Sequence, residues 1–112
     1  MSAFNRLHAQ VRCPSCGNTP EQVIQFKFGD VWQHDYQLGD VLRWGGNDIG
    51  RPELAKVIVS GSGEECPVCH ARGEDYVVVV ESDVLAAVDA APEGPPPMTD
   101  GELFAIVEDD LP

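Results

Sequence analysis

The four cysteines are the residues of this chain whose type and spacing most clearly predict chemistry. They form two matching pairs, C-P-S-C at positions 13–16 and C-P-V-C at positions 66–69. A two-residue spacing lets both sulfurs of a pair reach one ion from a tight turn, and proline at the first intervening position favours that turn. We therefore expect one metal site with four ligands: Cys13, Cys16, Cys66 and Cys69.

The expected role of this metal is structural. Four sulfurs complete a tetrahedral shell and leave no position for a water molecule that the metal could activate. Zinc is the expected ion, and iron stays open as an alternative because tetrahedral sulfur suits both metals. His70 follows the second pair directly. Since the shell is already complete, we expect His70 to lie at the surface or to bond a thiolate, and not to bind the metal.

Three other uses of the cysteines fit the sequence less well. The segment CPVCH matches the C-x-x-C-H pattern of haem attachment, which would leave Cys13 and Cys16 without a role. A redox pair would need a βαβ context, and two disulfides would suit a secreted protein. The start of the chain has no apolar segment typical of a secretory signal. We therefore predict a cytoplasmic protein with reduced thiols, and no membrane span because no long apolar run occurs.

The segments CPSCG (13–17) and CPVCH (66–70) resemble the knuckles of zinc ribbons and rubredoxin-like domains. This resemblance covers ten residues and implies that the four matching cysteines bind the ion. Gly17 suits the positive φ that such a turn often adopts, whereas the second knuckle carries His70 at that place. The 49 residues between the pairs exceed the length of a compact ribbon, so we expect an inserted β-domain.

Period-two alternation of apolar residues predicts a mainly β fold: a small zinc-ribbon-containing β-sheet domain with a long insert between the knuckles. The predicted strands are 6–12, 22–30, 41–44, 56–60 and 75–80, the last being apolar enough to be central. The segment GSGEE at 61–65 is expected to be a loop that leads to Cys66. Residues 82–91 form either a short helix or the return strand of a hairpin, and the hairpin is favoured because so short a helix is marginal.

The composition divides the chain into a zinc-binding β-domain at 1–91 and a tail at 92–112. The tail begins with a proline-rich spacer and continues as an acidic segment with one apolar run at 103–107. This run is either disordered or docks as an edge strand.

The net charge of −12 is concentrated in the second part of the chain. Residues 73–112 contain eleven acidic residues and no Lys or Arg. Such a surface repels phosphate backbones, which argues against nucleic acid as a partner, and it attracts a basic protein. The alternative is that the acids only keep a small protein soluble.

The sequence contains no motif typical of a catalytic site, so we predict that the protein is not an enzyme. Residues 30–46 mix aromatic and acidic side chains, as protein interfaces do. The candidate partner-binding residues are Trp32, Asp35, Tyr36 and Trp44, together with Asp109 and Asp110 of the tail. The alternative is that the tryptophans complete a core, which we expect for at least one of them. His8 and His34 are expected to be exposed.

These features together predict a non-enzymatic, structural-zinc protein that binds a basic protein partner. One concrete form is an inhibitor or immunity-type protein that blocks the active site of a toxin or nuclease. A rubredoxin-like iron electron carrier is the first alternative. A zinc-ribbon adaptor subunit of a larger complex is the second, although the Arg/Lys patch that it would need is largely missing.

Overall fold

A computed structural model describes residues 4–91, 93–94 and 103–108. Every regular element within these ranges is a β-strand, so this part of the chain contains no helix that could cross a membrane. The strands are β1 (Asn5–Gln10), β2 (Glu21–Phe26), β3 (Gly29–Asp30), β4 (Asp35–Gln37), β5 (Asp48–Ile49), β6 (Lys56–Gly63), β7 (Asp75–Glu81), β8 (Val84–Ala90) and β9 (Phe104–Glu108). The prediction of a mainly β fold is confirmed.

Seven of the strands form one sheet in the order β4-β1-β2-β6-β7-β8, with β9 also paired to β6. All pairs in this sheet are antiparallel except β1 with β4. β2 pairs with the last three residues of β6, and β9 pairs with its first four residues. β3 and β5 form a separate two-stranded sheet. β6 is therefore the strand that joins the two knuckle-bearing parts of the chain and the tail.

The large sheet curls because the segment after β4 bonds back to β8. Val41 bridges Val84, and Gly39 N donates to Leu85 O at 2.8 Å. The curl encloses the apolar side chains that alternate along the strands, as the period-two pattern requires. The largest fully buried apolar members are Leu7, Ile24, Phe26, Phe28, Val57, Val59, Tyr76, Val78, Val80 and Leu85.

β7 and β8 form the predicted hairpin, and the alternative of a short helix at 82–91 is wrong. The turn places Ser82 at φ 51° and Asp83 at φ 65°. Two successive positive φ values are typical of the two-residue turn whose twist matches antiparallel strands. β7 lies between β6 and β8, which confirms that it is a central strand.

The prediction of a loop at 61–65 is wrong for its first three residues, since Gly61 to Gly63 end β6. The glycines are needed here for close packing. A Cβ at Gly61 would lie 2.6 Å from Cγ2 of Ile24, and a Cβ at Gly63 would lie 2.7 Å from Cε2 of Tyr76. Two large core side chains therefore occupy the space above these glycines. The sequence pattern alone predicts turn residues at these positions.

The predicted strand at 41–44 is reduced to the single bridge at Val41. The backbone leaves the sheet after Val41 because the next two N–H groups form hydrogen bonds that do not continue a strand ladder. Leu42 N donates to Asp83 O, and Arg43 N donates to the Tyr36 hydroxyl.

Part of the predicted tail belongs to the sheet, because residues 104–108 form β9. The aromatic residue of β9, Phe104, packs edge-on against Phe28 with the ring centroids 5.2 Å apart. Of the two alternatives for the apolar run, docking as a strand therefore matches the structure. Asp109 and Asp110 lie outside the described residues.

Candidate metal centre

Two hairpins that lie side by side in the sheet carry the cysteines. The first knuckle, residues 13–17, connects β1 to β2, and the second knuckle, residues 66–70, connects β6 to β7. β2 and β6 are antiparallel neighbours, and Glu64 N donates to Val23 O at 2.8 Å just beyond their last paired residues. Both connections therefore emerge at the same end of the sheet, although 49 residues separate the cysteine pairs.

The four Sγ atoms converge to within 4.8 Å of one another. The sulfurs of Cys13 and Cys69 are 3.7 Å apart, and those of Cys16 and Cys66 are 3.9 Å apart. Zn–S bonds of about 2.3 Å in a tetrahedron would place the sulfurs about 3.8 Å apart. The cluster therefore has the ligand type, number and spacing of a four-coordinate metal site.

The two knuckles share one backbone pattern. In the first, Gly17 N donates to Cys13 O at 2.8 Å and Cys13 N donates to Asn18 O at 2.8 Å. In the second, His70 N donates to Cys66 O at 2.8 Å and Cys66 N donates to Ala71 O at 2.9 Å. Gly17 has φ 76° and His70 has φ 63°. The resemblance between the two sequence segments is therefore a resemblance in hydrogen bonding and dihedral angle.

Burial also follows the same order in both knuckles. The leading cysteines, Cys13 and Cys66, are 0% and 1% exposed. Cys16 is half-buried and Cys69 is exposed. Each knuckle thus contributes one buried cysteine and one that is more exposed, so the ion would lie at the edge of the core.

Backbone N–H groups that point at the sulfurs favour their ionised form. The N–H of Asn18 is the main cause that lowers the pKa of Cys16. For Cys66, the N–H of Cys69 outweighs the opposing effect of burial and, with the N–H of Val68, lowers the pKa to about 7. Thiolates are the form that binds metal, so the knuckle backbone prepares these two ligands.

The pKa of the Cys69 thiol responds to the sulfurs around it. The N–H of Ala71 lowers the pKa of Cys69, but burial and the neighbouring sulfurs, Cys13 foremost, raise it to about 12. Four thiols this close cannot all ionise by themselves because the negative charges repel one another. A divalent cation removes this repulsion and allows four thiolates.

A buried polar network lies beneath the cluster and joins the two hairpins. The Tyr76 hydroxyl donates to Gln22 Oε1 at 3.3 Å, and Gln22 Nε2 donates to Val11 O at 3.1 Å. Gln22 is 3% exposed and Tyr76 is fully buried. Sequence reasoning missed this pair, and the only signal was a glutamine at an inward position of an otherwise apolar strand face.

His70 lies outside the metal site, as predicted. Its side chain is 71% exposed, and its Nδ1 is 3.6 Å from Oε2 of Glu65. Glu65 also accepts a hydrogen bond from Arg72 at 3.1 Å, and this bond is the main cause that lowers the pKa of Glu65. The second knuckle therefore carries a small surface ion cluster.

The predicted partner-binding residues are split between core and surface. Tyr36 is 3% exposed and its ring packs near Phe26. Trp44 is half-buried and meets Phe28 edge-on at 5.5 Å, so it is the tryptophan that joins the core. Trp32 is 65% exposed, and the side chain of Asp35 is 53% exposed. Asp109 and Asp110 fall outside the described residues.

Both histidines that were expected to be exposed are partly buried and paired with carboxylates. His8 Nε2 lies 2.9 Å from Oδ1 of Asp35, and His34 Nε2 lies 2.9 Å from Oδ2 of Asp30. The side chain of His34 is only 19% exposed. These hydrogen bonds are the main causes that lower the pKa of Asp35 and of Asp30.

Comparison of the chain with protein-family models, with curated proteins and with solved structures found no match in any of the three. The chain's own geometry is therefore the basis for assigning it a function.

Proposed function

We propose that this protein is a small β-domain stabilised by one structural zinc ion, and that it acts by binding a basic protein partner. The observation that carries the proposal is the convergence of four cysteine sulfurs, two from each of two neighbouring hairpins, to within 4.8 Å.

The sulfur cluster supports a structural role for the metal. Four thiolates fill a tetrahedral shell, so the ion keeps no position at which a substrate or water could bind. The ion would also join the β1–β2 hairpin to the β6–β7 hairpin, which the chain brings together only after 49 intervening residues. In a domain of this size, such a cross-link contributes a large part of the folding free energy.

The distribution of charge supports a basic partner. Residues 73–112 carry eleven acidic residues without a Lys or Arg. Among those described, Asp75, Glu81, Asp89, Glu93 and Glu108 are exposed. Such a surface attracts a cationic protein over a distance and speeds its association. An inhibitor or immunity-type protein, with acids that enter a cationic active site, is the specific form that we propose.

Metal analysis of the purified protein tests the first part. We expect one zinc per chain, no colour, and a tetrahedral tetrathiolate absorption spectrum after replacement of zinc by cobalt. A preparation that contains two disulfides and no metal would contradict the proposal.

Salt dependence tests the second part. We expect the zinc-loaded protein to capture a basic protein at low salt and to release it at high salt. A double variant, Glu81→Gln with Asp89→Asn, should weaken the capture without altering zinc content, since both side chains are exposed on β7 and β8. Capture that is indifferent to salt and to these substitutions would count against a basic partner.

The exposure of the second knuckle favours one other candidate, a rubredoxin-like iron electron carrier. Cys69 is exposed, and its neighbour Val68 is 51% exposed, so the metal would lie close to the surface beside an exposed apolar side chain. The same metal analysis separates the two functions, because an iron protein would be red and would show a reversible redox wave.

A further inference from the structure

Trp32 is the most exposed large apolar side chain in the described part of the chain, at 65%. It lies in the loop between β3 and β4, at the end of β1 opposite the first knuckle. A single exposed apolar residue is common on protein surfaces and by itself indicates nothing. The way in which the structure holds the backbone around Trp32 is what distinguishes this residue.

One fully buried side chain, Asn5, holds the loop through four hydrogen bonds. Its Nδ2 donates to Phe28 O at 3.2 Å and to Asp30 O at 3.1 Å. Its Oδ1 accepts from Trp32 N at 3.3 Å and from His34 N at 3.1 Å. Asn5 is 0% exposed. The amide thus fixes the backbone on both sides of Trp32 and at Trp32 itself.

Further contacts hold the same loop from its two flanks. Val31 is buried, and its N–H donates to Asn47 O at 3.1 Å. His34 O accepts from Arg6 N at 2.9 Å, and the His34 ring bonds Asp30. The loop therefore presents an indole to solvent from a backbone that is already ordered. An ordered anchor loses little conformational entropy when a partner binds.

The charge around the loop indicates what kind of group would pack on the indole. Residues 30–48 contain four aspartates and one arginine. Asp48 is exposed and lies directly opposite Asp30 in the β3–β5 pair, whereas the carboxylate of Asp35 is paired with Arg6 at 3.0 Å. An arginine side chain can stack on the face of a tryptophan while nearby carboxylates meet its charge.

We propose that Trp32 is the anchor of the partner surface, and that it receives an arginine side chain of the basic protein. This inference rests on the proposed basic partner and adds the place and the chemistry of contact. Asp48 supplies negative charge on the neighbouring strand β5, and Asn5 is a positioning residue that keeps the loop in its binding form.

A hexa-arginine peptide serves as the probe, added to the zinc-loaded full chain. Trp32 and Trp44 are the only two tryptophans, so a Trp44→Phe background makes Trp32 the sole source of indole fluorescence. We expect the peptide to change the Trp32 emission. We expect Trp32→Leu to weaken peptide binding by about 3- to 10-fold, the range that a cation–π contact of this kind supports. Trp32→Tyr, which keeps an aromatic face, should recover part of that loss.

Two variants that each remove one negative charge test which carboxylates contribute to peptide binding. Asp48→Asn removes one charge beside the loop and keeps an oxygen that can accept the hydrogen bond from Gly45 N. Asp89→Asn removes one charge on β8. We expect the first variant to weaken binding more than the second. Equal effects would overturn the assignment of the contact to this loop.

The outcomes separate this inference from the proposed function. If the peptide binds the parent chain and the Trp32→Leu variant equally, the Trp32 anchor is wrong and the basic partner still stands. If the peptide binds neither protein, the basic-partner proposal fails with it. Zinc content, measured in each sample, shows that every variant retains the folded metal site.

Discussion

The two knuckles have the same backbone and different surroundings. Each has a buried leading cysteine, an outer second cysteine and a positive φ at the residue that follows. In the first knuckle that last residue is Gly17, which adopts positive φ without strain. In the second it is His70, which is forced into the same region and whose ring approaches Glu65.

This difference shows that the metal-binding turn requires a dihedral angle and not a particular residue. A residue with a Cβ costs about 1–2 kcal/mol in the left-handed region, and histidine is among the residues found there more often than most. A pattern that requires glycine after the second cysteine would therefore miss the second knuckle. The hydrogen bond from N of this residue to O of the leading cysteine is the feature that both knuckles share.

The largest expected effect comes from the ligands themselves. Removal of the metal by a chelator should unfold the domain, because binding of a structural zinc contributes about 10–16 kcal/mol at neutral pH. Cys13→Ser should abolish stoichiometric zinc binding, since no water can replace a sulfur that is 0% exposed. Circular dichroism and competition with a chromophoric chelator measure both effects.

Cys69→Ser is the matched variant in the second knuckle. Cys69 is exposed, so water can take its coordination position and three sulfurs can retain the ion. We expect this variant to keep a zinc affinity at least about tenfold higher than that of Cys13→Ser. Equal affinities would show that burial does not distinguish the inner and outer ligands.

Substitutions at the positive-φ residue of each knuckle, Gly17 and His70, should have the next largest effect on stability. Gly17→Ala should destabilise the zinc-loaded protein by about 1 kcal/mol. The cause would be dihedral strain alone, because a Cβ at Gly17 meets only the Arg12 guanidinium, at 4.0 Å. His70→Gly should stabilise the protein by less than this, since glycine adds entropy to the unfolded chain. Urea unfolding measures both, and a destabilising His70→Gly would mean that the contact with Glu65 outweighs the strain.

The smallest expected effect comes from the ion cluster of the second knuckle. Arg72 and His70 hold the pKa of Glu65 below its usual value in the folded protein. Glu65 therefore contributes stability above its unfolded pKa, and this contribution is lost as pH falls through its folded pKa. The stability difference between the parent and Glu65→Gln should accordingly stay constant from pH 6 to about pH 5 and shrink as the pH falls below about 4.3, in urea unfolding with the zinc content monitored.

Arg72→Ala provides the control for that experiment. In this background Glu65→Gln should have a smaller effect at pH 6, because the main cause of the lowered pKa is gone. An undiminished effect would assign the contribution of Glu65 to contacts other than Arg72.

Local patterns predicted the elements whose cause is local. The strand at 75–80 follows from its run of β-branched valines and the return strand within 82–91 follows from a tight connection, and both are present in the structure. Distant contacts decided the misassigned elements. Gly61 and Gly63 are strand residues because Ile24 and Tyr76 pack over them. These two contacts cannot be predicted from the spacing of the glycines.

The fate of the two tryptophans illustrates the same limit. Both lie in one segment with similar neighbours, yet Trp44 packs on Phe28 while Trp32 faces solvent. Asn5, which lies 27 positions before Trp32 in sequence, holds the Trp32 loop. No periodicity within residues 30–46 could have separated the two residues.

The amino-acid sequence alone determined the candidate ligand set, because two cysteines separated by two residues can reach one ion through the geometry of a single turn. It also determined the strand-rich character, since alternation places apolar side chains on one face. Only the tertiary structure brought the two hairpins to the same end of the sheet, docked β9 on β6 and turned Trp32 outward. Each of these depends on contacts between residues far apart in the chain, whose free energy is shared among many side chains and is not encoded in any one segment.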